Sequence, residues 1–270
     1  MAGGWNTTVL RSETEVLHVL ADLRGKRWLC RGQPSPYGVL IPSIDRGKLQ
    51  DLPRAEKLML ERQSIDLFRS TARFFATAGE GGALVDDVIA LMVLRHHKVP
   101  TRLLDWSLSP YVAAYFATCE NDKDDGELWS FDEPLYEIEG AKQWRRWPET
   151  TSDGSGHPSK FSDAMTAFSL KEPPDWFVCR FYKFYPGFPR QDAQAGAYSM
   201  TARFGRNHAE AIAQLLQKRS RYHRYVVSAK LKPMLQRRLR ESHGIWVGSL
   251  FPDTAGAADT ARTVFSGYGS

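Results

Sequence analysis

The stretch from Arg95 to Ala117, RHHKVPTRLLDWSLSPYVAAYFA, constrains the fold more than any other part of the chain. Pro100 stops a helix that the pattern predicts over Asp86–His97, because proline has no N–H to donate and restricts the residue before it. Ser109 followed by Pro110 is typical of a helix N-cap and first helical residue. The segment therefore predicts two helices with a short connection, and its many polar groups among large apolar ones indicate the wall of a pocket.

The remaining pattern favours an α+β fold. Apolar residues at helical spacing follow Ser12 and Glu15, which form a capping-box pair, so a helix is expected over 14–23. Short strands are predicted in WLCRGQ, ELWSFD, WFVCRFYKFYP, YHRYVVSAKL and GIWVGSLF. Strands and helices alternate without a regular βαβ beat. We expect one domain over residues 1–270, with a mobile Gly-rich loop at about 149–159.

Composition narrows the classes of protein and of site. No apolar run approaches the roughly 20 residues that span a bilayer, and the N-terminus lacks the pattern of a signal peptide. The three cysteines, Cys30, Cys119 and Cys179, are scattered and odd in number, which is typical of reduced thiols in a cytoplasmic protein. His96 and His97 are adjacent and point about 100° apart on a helix, so they do not form a metal-chelating pair. We expect no metal and no membrane partner.

Positive charge is concentrated near the C-terminal third. The net charge is +5, and between Arg203 and Arg240 only Glu210 is acidic. Such a block is either a surface that binds phosphates or a solvated helix face. If it binds a nucleic acid, the basic side chains contact phosphates and tyrosine rings such as Tyr222 stack on bases. The candidate nucleic-acid-binding residues are Lys218, Arg219, Arg221, Arg224 and Tyr225.

Five motifs, taken in order, resemble the FRG-domain family. They are WLCRGQ, LIPSIDRG, RHHKVPTRLLDWSLSPYVAAYFA, RQDAQAGAYS and HGIWVGSLFPD, and together they span Trp28 to Asp253. The family is named for a Phe-Arg-Gly-like motif, and Cys30 stands here at the Phe position. Its central signature is similar to Gln-His-x-Gly-x-Pro-Thr-Arg-Leu-Leu-Asp-Trp, in which Arg95 replaces Gln and Lys98 replaces Gly in this chain.

The order of these motifs is also similar to that of Arg-Ser-Glu type ADP-ribosyltransferases. In those enzymes a first strand ends in Arg-Gly, a second strand carries Ser-Thr-Ser before a helix, and a third strand carries Gln-x-Glu or Glu-x-Glu. Arg31-Gly32, the pair Ser107 and Ser109, and the glutamines Gln191 and Gln194 stand at the corresponding places, but no Glu follows. The resemblance implies mixed central sheets of an ADP-ribosyltransferase-like fold with flanking helices, and NAD as the substrate.

The residue types fit that implication. A strand-end arginine grips phosphate with a planar fork, and a glycine lets the backbone approach the nicotinamide amide. The candidate NAD-binding residues are Arg31, Gly32, Gln33, His96, Arg102, Trp106, Ser107, Ser109 and Tyr115. Cleavage of the glycosidic bond passes through an oxocarbenium-like state that an acid or amide stabilises. Gln194 and Asp105 are the candidate catalytic residues, with Asp192 as a second choice of carboxylate.

Structural interpretations stand beside these. Arg31 or Arg102 can pair with Asp105 as a buried strut. Trp106 and Tyr115 can be core aromatics, and Ser109 a helix cap. Two functions therefore remain open. One is an NAD-dependent ADP-ribosyltransferase acting on a nucleic acid or protein, as a toxin or phage-defence effector with an antitoxin or neighbouring defence protein as partner. The alternative is a noncatalytic nucleotide- or nucleic-acid-binding module.

Overall fold

The computed structural model describes residues 4–75, 78–144, 177–180, 189–201, 203–217 and 219–262. The loop expected at about 149–159 lies outside these residues, as does the part of the predicted strand WFVCRFYKFYP beyond Arg180. Lys218 is also outside them. All structural statements below refer to the described residues.

Seven strands form one mixed sheet at the centre of the protein. They are β1 (Asn6–Leu10), β2 (Trp28–Gln33), β3 (Leu104–Ser107), β4 (Gly126–Asp132), β5 (Phe177–Arg180), β6 (Gly196–Thr201) and β7 (Tyr222–Val227). Their spatial order is β1-β7-β4-β2-β3-β6-β5. β1 and β7 are parallel and every other neighbouring pair is antiparallel. The predicted α+β class is confirmed, with one continuous sheet where several had been expected.

The sheet is weakly joined at its middle. β2 pairs with β4 along its whole length, from Trp28 opposite Asp132 to Gln33 opposite Glu127. β2 and β3, in contrast, are in register only at Cys30 and Ser107. Beyond that pair the backbones of the two strands are unpaired with each other. We call this place the β2–β3 junction. It brings the motif WLCRGQ next to the motif RHHKVPTRLLDWSLSPYVAAYFA.

Ten helices surround the sheet among the described residues. They are α1 (Glu13–Arg24), α2 (Arg54–Ala72), α3 (Asp87–His96), α4 (Pro110–Thr118), α5 (Glu133–Trp144), α6 (Pro189–Ala193), α7 (His208–Leu216), α8 (Lys232–His243), α9 (Val247–Leu250) and α10 (Thr254–Arg262). α1, α4 and α8 cover one face of β2, β4 and β7. α5 and α7 cover the other face around Trp106, Trp129 and Phe131. None of these helices has the length and apolar character needed to cross a bilayer.

Local signals in the sequence placed two helix starts correctly. The Ser12 hydroxyl accepts from the Glu15 N–H at 3.3 Å, and the Glu15 carboxylate accepts from the Ser12 N–H, which completes the capping box. The Ser109 hydroxyl accepts from the Val112 N–H at 3.3 Å, with Pro110 as the first residue of α4. These ends are specified by residues that are neighbours in the chain, so the sequence alone predicts them.

The strand predicted in GIWVGSLF is wrong, because this segment turns back onto α8. Gly244 takes the left-handed conformation (φ 65°) and its N–H donates to the Arg240 carbonyl. The Ile245 N–H donates to the Leu239 carbonyl at 3.0 Å, so the helix ends in a turn with Gly244 as its left-handed cap. The chain then forms the short helix α9 over Val247–Leu250. The β-propensity of this segment is overridden by that turn.

Glycines in β2 and β4 let α4 lie against the sheet backbone. A Cβ at Gly32 would lie 1.9 Å from the Ala113 carbonyl oxygen, and one at Gly126 would lie 2.1 Å from the Ala117 carbonyl oxygen. No side chain fits at either place without moving the helix. Gly32 thus has a packing role, and the expectation that it serves the nicotinamide amide is not needed to explain it.

Candidate functional site

Arg31 bridges the β2–β3 junction. Its Nη1 donates to the Asp105 carbonyl oxygen at 2.7 Å and lies 3.6 Å from Asp105 Oδ2. The Arg31 side chain is 13% exposed and that of Asp105 is 40% exposed, so the contact is open to solvent on the carboxylate side. The Nε atom of Arg31 is buried without a hydrogen-bond partner among the described residues. The predicted meeting of the Arg-Gly motif with the Asp105 region is therefore found, as a direct contact.

A second guanidinium holds the same carboxylate. Arg95, near the end of α3, donates from Nε and Nη2 to Asp105 Oδ2 at 2.9 Å and 2.7 Å. Its Nη1 also reaches the Ser43 hydroxyl at 3.3 Å. The α3 helix is fixed by its Asp86 cap, which accepts from two N–H groups. Two arginines from separate elements thus share one carboxylate.

Arg46 adds a third positive charge. Its residue is exposed, and its guanidinium makes no ion pair with a carboxylate among the described residues. Burial lowers the pKa of Arg31 to about 10, and the nearby charges of Arg95 and Arg46 contribute to that decrease. Burial works against the charge of Asp105, but Arg95 and Arg31 outweigh it and hold the pKa of that carboxyl below its usual value. At neutral pH three positive charges therefore face one negative charge.

His96 and Tyr198 lie beside this group of charges. The Tyr198 hydroxyl and His96 Nε2 share a hydrogen bond of 2.6 Å, and Tyr198 is the register partner of Asp105. Burial lowers the pKa of His96 to about 4, so the imidazole is neutral at pH 7. Arg190 donates to the His96 carbonyl and forms an ion pair with Asp253. His96 thus belongs to the junction as predicted, as a neutral hydrogen-bonding group.

Three predicted NAD-binding residues are parts of the core. Arg102 is buried and donates to the Glu61 carboxylate from Nε at 2.9 Å and Nη2 at 2.5 Å, so its guanidinium is not open to a ligand. Trp106 is buried and donates from Nε1 to the Ser199 hydroxyl at 2.7 Å. Tyr115, in α4, is buried in the apolar cluster that α1 and α8 form with the sheet. The structural interpretation holds for all three, although Arg102 pairs with Glu61 where Asp105 had been expected.

The serines and Gln194 stabilise the turn between β3 and α4. The Ser107 hydroxyl donates to the Gln194 carbonyl oxygen at 2.7 Å and accepts from the Ser109 N–H at 3.0 Å. The Ser109 hydroxyl caps α4, as noted above. The Gln194 side chain donates from Nε2 to the Leu250 carbonyl oxygen at 3.0 Å. Asp192 is exposed on α6.

Glu127 is a buried carboxylate that the sequence reasoning did not single out. It accepts from Gln33 Nε2 at 2.9 Å, from the Gly38 N–H at 3.0 Å and from Arg224 Nε at 2.8 Å. The predicted site residue Gln33 is therefore occupied in fixing the chain just beyond β2. Arg95 and Arg46 were also missed, although both lie inside the quoted motifs. The feature of the sequence that could have identified them is their position inside the motifs RHHKVPTRLLDW and LIPSIDRG.

The predicted nucleic-acid-binding residues do not share one surface. Arg224 pairs with buried Glu127, and Arg221 pairs with Asp132 at 2.9 Å. Tyr225 follows Arg224 in β7 and therefore points to the opposite face of the sheet. The side chain of Arg219, like all of Lys218, lies outside what the structure describes. Alternation along the strand separates residues that the sequence counts as one basic block.

Comparison with protein families gives one match. The model of the FRG domain matches residues 26–126, which include β2, α2, α3, β3 and α4. The segment therefore carries Arg31, Arg46, Arg95 and Asp105 together. No curated protein and no solved structure matches the chain.

Proposed function

Through residues 26–126 the chain belongs to the FRG-domain family, and from this premise we propose that it binds NAD at the β2–β3 junction and transfers ADP-ribose to an acceptor. One observation supports the binding step above the others. Three guanidiniums, those of Arg31, Arg95 and Arg46, surround the single carboxylate of Asp105. The excess of two positive charges is suited to a pyrophosphate, which carries a matching negative charge.

The residues at the junction have distinct roles in this proposal. Arg46, which is exposed, binds phosphate oxygens, and Arg31 and Arg95 add positive charge beside it, since guanidinium N–H groups are suited to such oxygens. Asp105 stays ionised and stabilises positive charge on the ribose as the bond to nicotinamide breaks. The acceptor then forms a bond to the same ribose carbon and loses its proton, while nicotinamide leaves. The acceptor is a nucleic acid or a protein.

A noncatalytic nucleotide-binding module is the second candidate, and a specific observation favours it. Both candidate catalytic groups are already engaged. Asp105 accepts hydrogen bonds from Arg95 and Gln194 donates to the Leu250 carbonyl oxygen. In this candidate the guanidiniums hold the same phosphates, and no glycosidic bond breaks.

Binding and turnover separate the two candidates. We expect calorimetry at low ionic strength to detect NAD and pyrophosphate binding, and Arg46→Gln to weaken both about tenfold or more, because it removes charged hydrogen bonds. Arg237→Gln is the matched control, since Arg237 is exposed on α8 and has no ion-pair partner among the described residues. If neither NAD nor pyrophosphate binds to the wild type, both candidates are contradicted.

Turnover is followed by nicotinamide release from labelled NAD with DNA, RNA and protein acceptors. We expect release and label transfer for the wild type and a loss of at least tenfold for Asp105→Asn, since the variant has no carboxylate. NAD binding without any release or label transfer would select the noncatalytic module.

A further inference from the structure

The loop over residues 34–42, between β2 and the turn at Ser43, is tethered by four side chains from elsewhere in the chain. Glu127 accepts from the Gly38 N–H at 3.0 Å and Asn207 Oδ1 accepts from the Leu40 N–H at 3.0 Å. Lys232 Nζ donates to the Pro34 carbonyl oxygen at 2.7 Å. Asp124 accepts from the Ser35 hydroxyl at 2.8 Å. We call this segment the tethered loop, and its backbone is fixed almost residue by residue.

Tyr37 projects from the tethered loop. Its large aromatic side chain is 55% exposed. Its N–H donates to the Ser35 carbonyl oxygen at 2.9 Å, and it stands between Pro36 and Gly38, which has φ 68°. Single exposed aromatic residues are common on protein surfaces. What sets Tyr37 apart is that a rigid backbone holds it, so presenting the ring costs little further ordering on binding.

The tethered loop connects parts of the candidate site. It begins directly after Arg31, Gly32 and Gln33 in β2 and ends at Ser43. The Ser43 hydroxyl accepts from Arg95 at 3.3 Å and also from the Thr101 N–H at 3.1 Å. Arg46 follows three residues later, so Tyr37 stands on the segment that joins Arg31 to Arg46. Burial lowers the pKa of Arg46, and Tyr37 is close enough to that guanidinium to offset part of the decrease. The exposed ring therefore lies on the segment that links two of the three guanidiniums.

We propose that Tyr37 stacks on the aromatic ring of the nucleotide whose phosphates these guanidiniums hold. The inference rests on the phosphate binding in the proposed function and assigns a residue to the ring. Guanidinium–phosphate contacts do not distinguish a nucleotide from inorganic pyrophosphate, so a group that contacts the ring is needed to favour the nucleotide. The ring is the adenine or the pyridine of a dinucleotide, since both offer a flat π-face for stacking.

The test measures four ligands by calorimetry on the full chain: pyrophosphate, ribose 5-phosphate, ADP and nicotinamide mononucleotide. We expect Tyr37→Ala to weaken ADP or nicotinamide mononucleotide by roughly 5- to 100-fold, and to leave the two ligands without a ring within twofold. Tyr37→Phe keeps the ring and should bind all four ligands like the wild type. Phe75→Ala is the matched control, because Phe75 is a 79% exposed aromatic residue outside the tethered loop.

Each outcome decides between the two proposals. Loss confined to ADP assigns the ring to adenine, and loss confined to nicotinamide mononucleotide assigns it to pyridine. If pyrophosphate binds but Tyr37→Ala weakens the ring-bearing ligands no more than pyrophosphate, the role of Tyr37 is overturned and phosphate binding stands. If pyrophosphate does not bind the wild type, both fail together.

Discussion

Two arrangements of arginine with carboxylate in this protein differ in exposure and in charge. Arg102 and Glu61 are each only 2% exposed as side chains and face one another in a two-point contact. Arg31 and Arg95, in contrast, share Asp105, a carboxylate that is 40% exposed. The first arrangement is closed and neutral, so it stabilises the fold alone. The second is open and carries excess charge, and the proposed function depends on that excess.

Removing one member of the closed pair should be costly. We expect Glu61→Gln to lower the free energy of unfolding by roughly 3–5 kcal/mol, because Arg102 would stay buried without its counter-charge. Replacing both residues, by Glu61→Leu with Arg102→Met, should cost less than the sum of the single changes. Urea unfolding measures all of these. Arg62→Gln, at an exposed ion pair one residue away, is the control and should cost about 1 kcal/mol or less. Additive costs for the two buried positions would refute this account.

At the scale of elements, α4 is positioned by the sheet beneath it. Its N-terminus is fixed by the Ser109 cap, and its body lies on Gly32 of β2 and Gly126 of β4. Close contact of a helix with strand backbone leaves no room for a side chain between them. The β3–α4 turn, which carries Ser107, is therefore held from both of its ends.

Gly32→Ala should disturb this contact strongly. The added Cβ would meet the Ala113 carbonyl oxygen, which is backbone and cannot rotate away. We expect a loss of about 3 kcal/mol or more, which thermal unfolding would show as a drop in midpoint of roughly 6 °C or more. Gly81→Ala is the control, since nothing lies within 4 Å of a Cβ there, and it should leave the midpoint within about 2 °C. An unchanged midpoint for Gly32→Ala would mean that α4 can shift freely.

At the scale of the whole molecule, burial keeps histidines neutral. His208 is fully buried, with Nδ1 2.8 Å from the Ser199 hydroxyl, and burial lowers its pKa to about 3. His96 is lowered to about 4 by the same cause. In the unfolded chain each takes up a proton near pH 6.5. The unfolded state therefore binds more protons below that pH, and the stability present above pH 6.5 is lost as pH falls toward 4.

This linkage predicts the slope of stability against pH. Each histidine contributes at most about 1.4 kcal/mol per pH unit between pH 6.5 and its folded pKa. We expect His208→Gln to be less stable at pH 7 but to show a shallower fall in unfolding free energy from pH 6.5 to 4.5, measured by urea titration at each pH. A mere packing defect would lower the curve without changing its slope. An unaltered slope would show that His208 is protonated in the folded protein.

The sequence predicted the meeting of Arg31 with Asp105, but not which other arginine joins them. Arg95 and Arg102 lie in the same motif as Asp105, and Arg102 is the nearer of the two along the chain. The choice depends on Glu61, which α2 brings to Arg102 from a different part of the chain. Side-chain pairing of this kind is a tertiary property, and no local pattern encodes it. Helix starts such as Ser12 and Ser109, which depend on near neighbours, were predicted correctly.

The backbone at Lys98 keeps a conformation that is typical of glycine, although the residue is not glycine. The family signature has glycine at this position, and Lys98 adopts φ 62° in this chain. That conformation is the left-handed one that glycine takes most easily. The turn after α3 therefore keeps its shape here at some local cost. A signature read as backbone geometry predicts this turn, whereas the residue type alone does not.

Arg31 and Gly32 are adjacent in β2 but are required for different reasons. The glycine is required wherever α4 rests on the sheet, with or without a ligand, whereas the arginine bridges the β2–β3 junction through Asp105 and, under the proposed function, also binds an anion. A relative without that ligand would still have to keep the glycine, whereas another contact across the junction could replace the arginine. Among such relatives we therefore expect the arginine to be exchanged before the glycine.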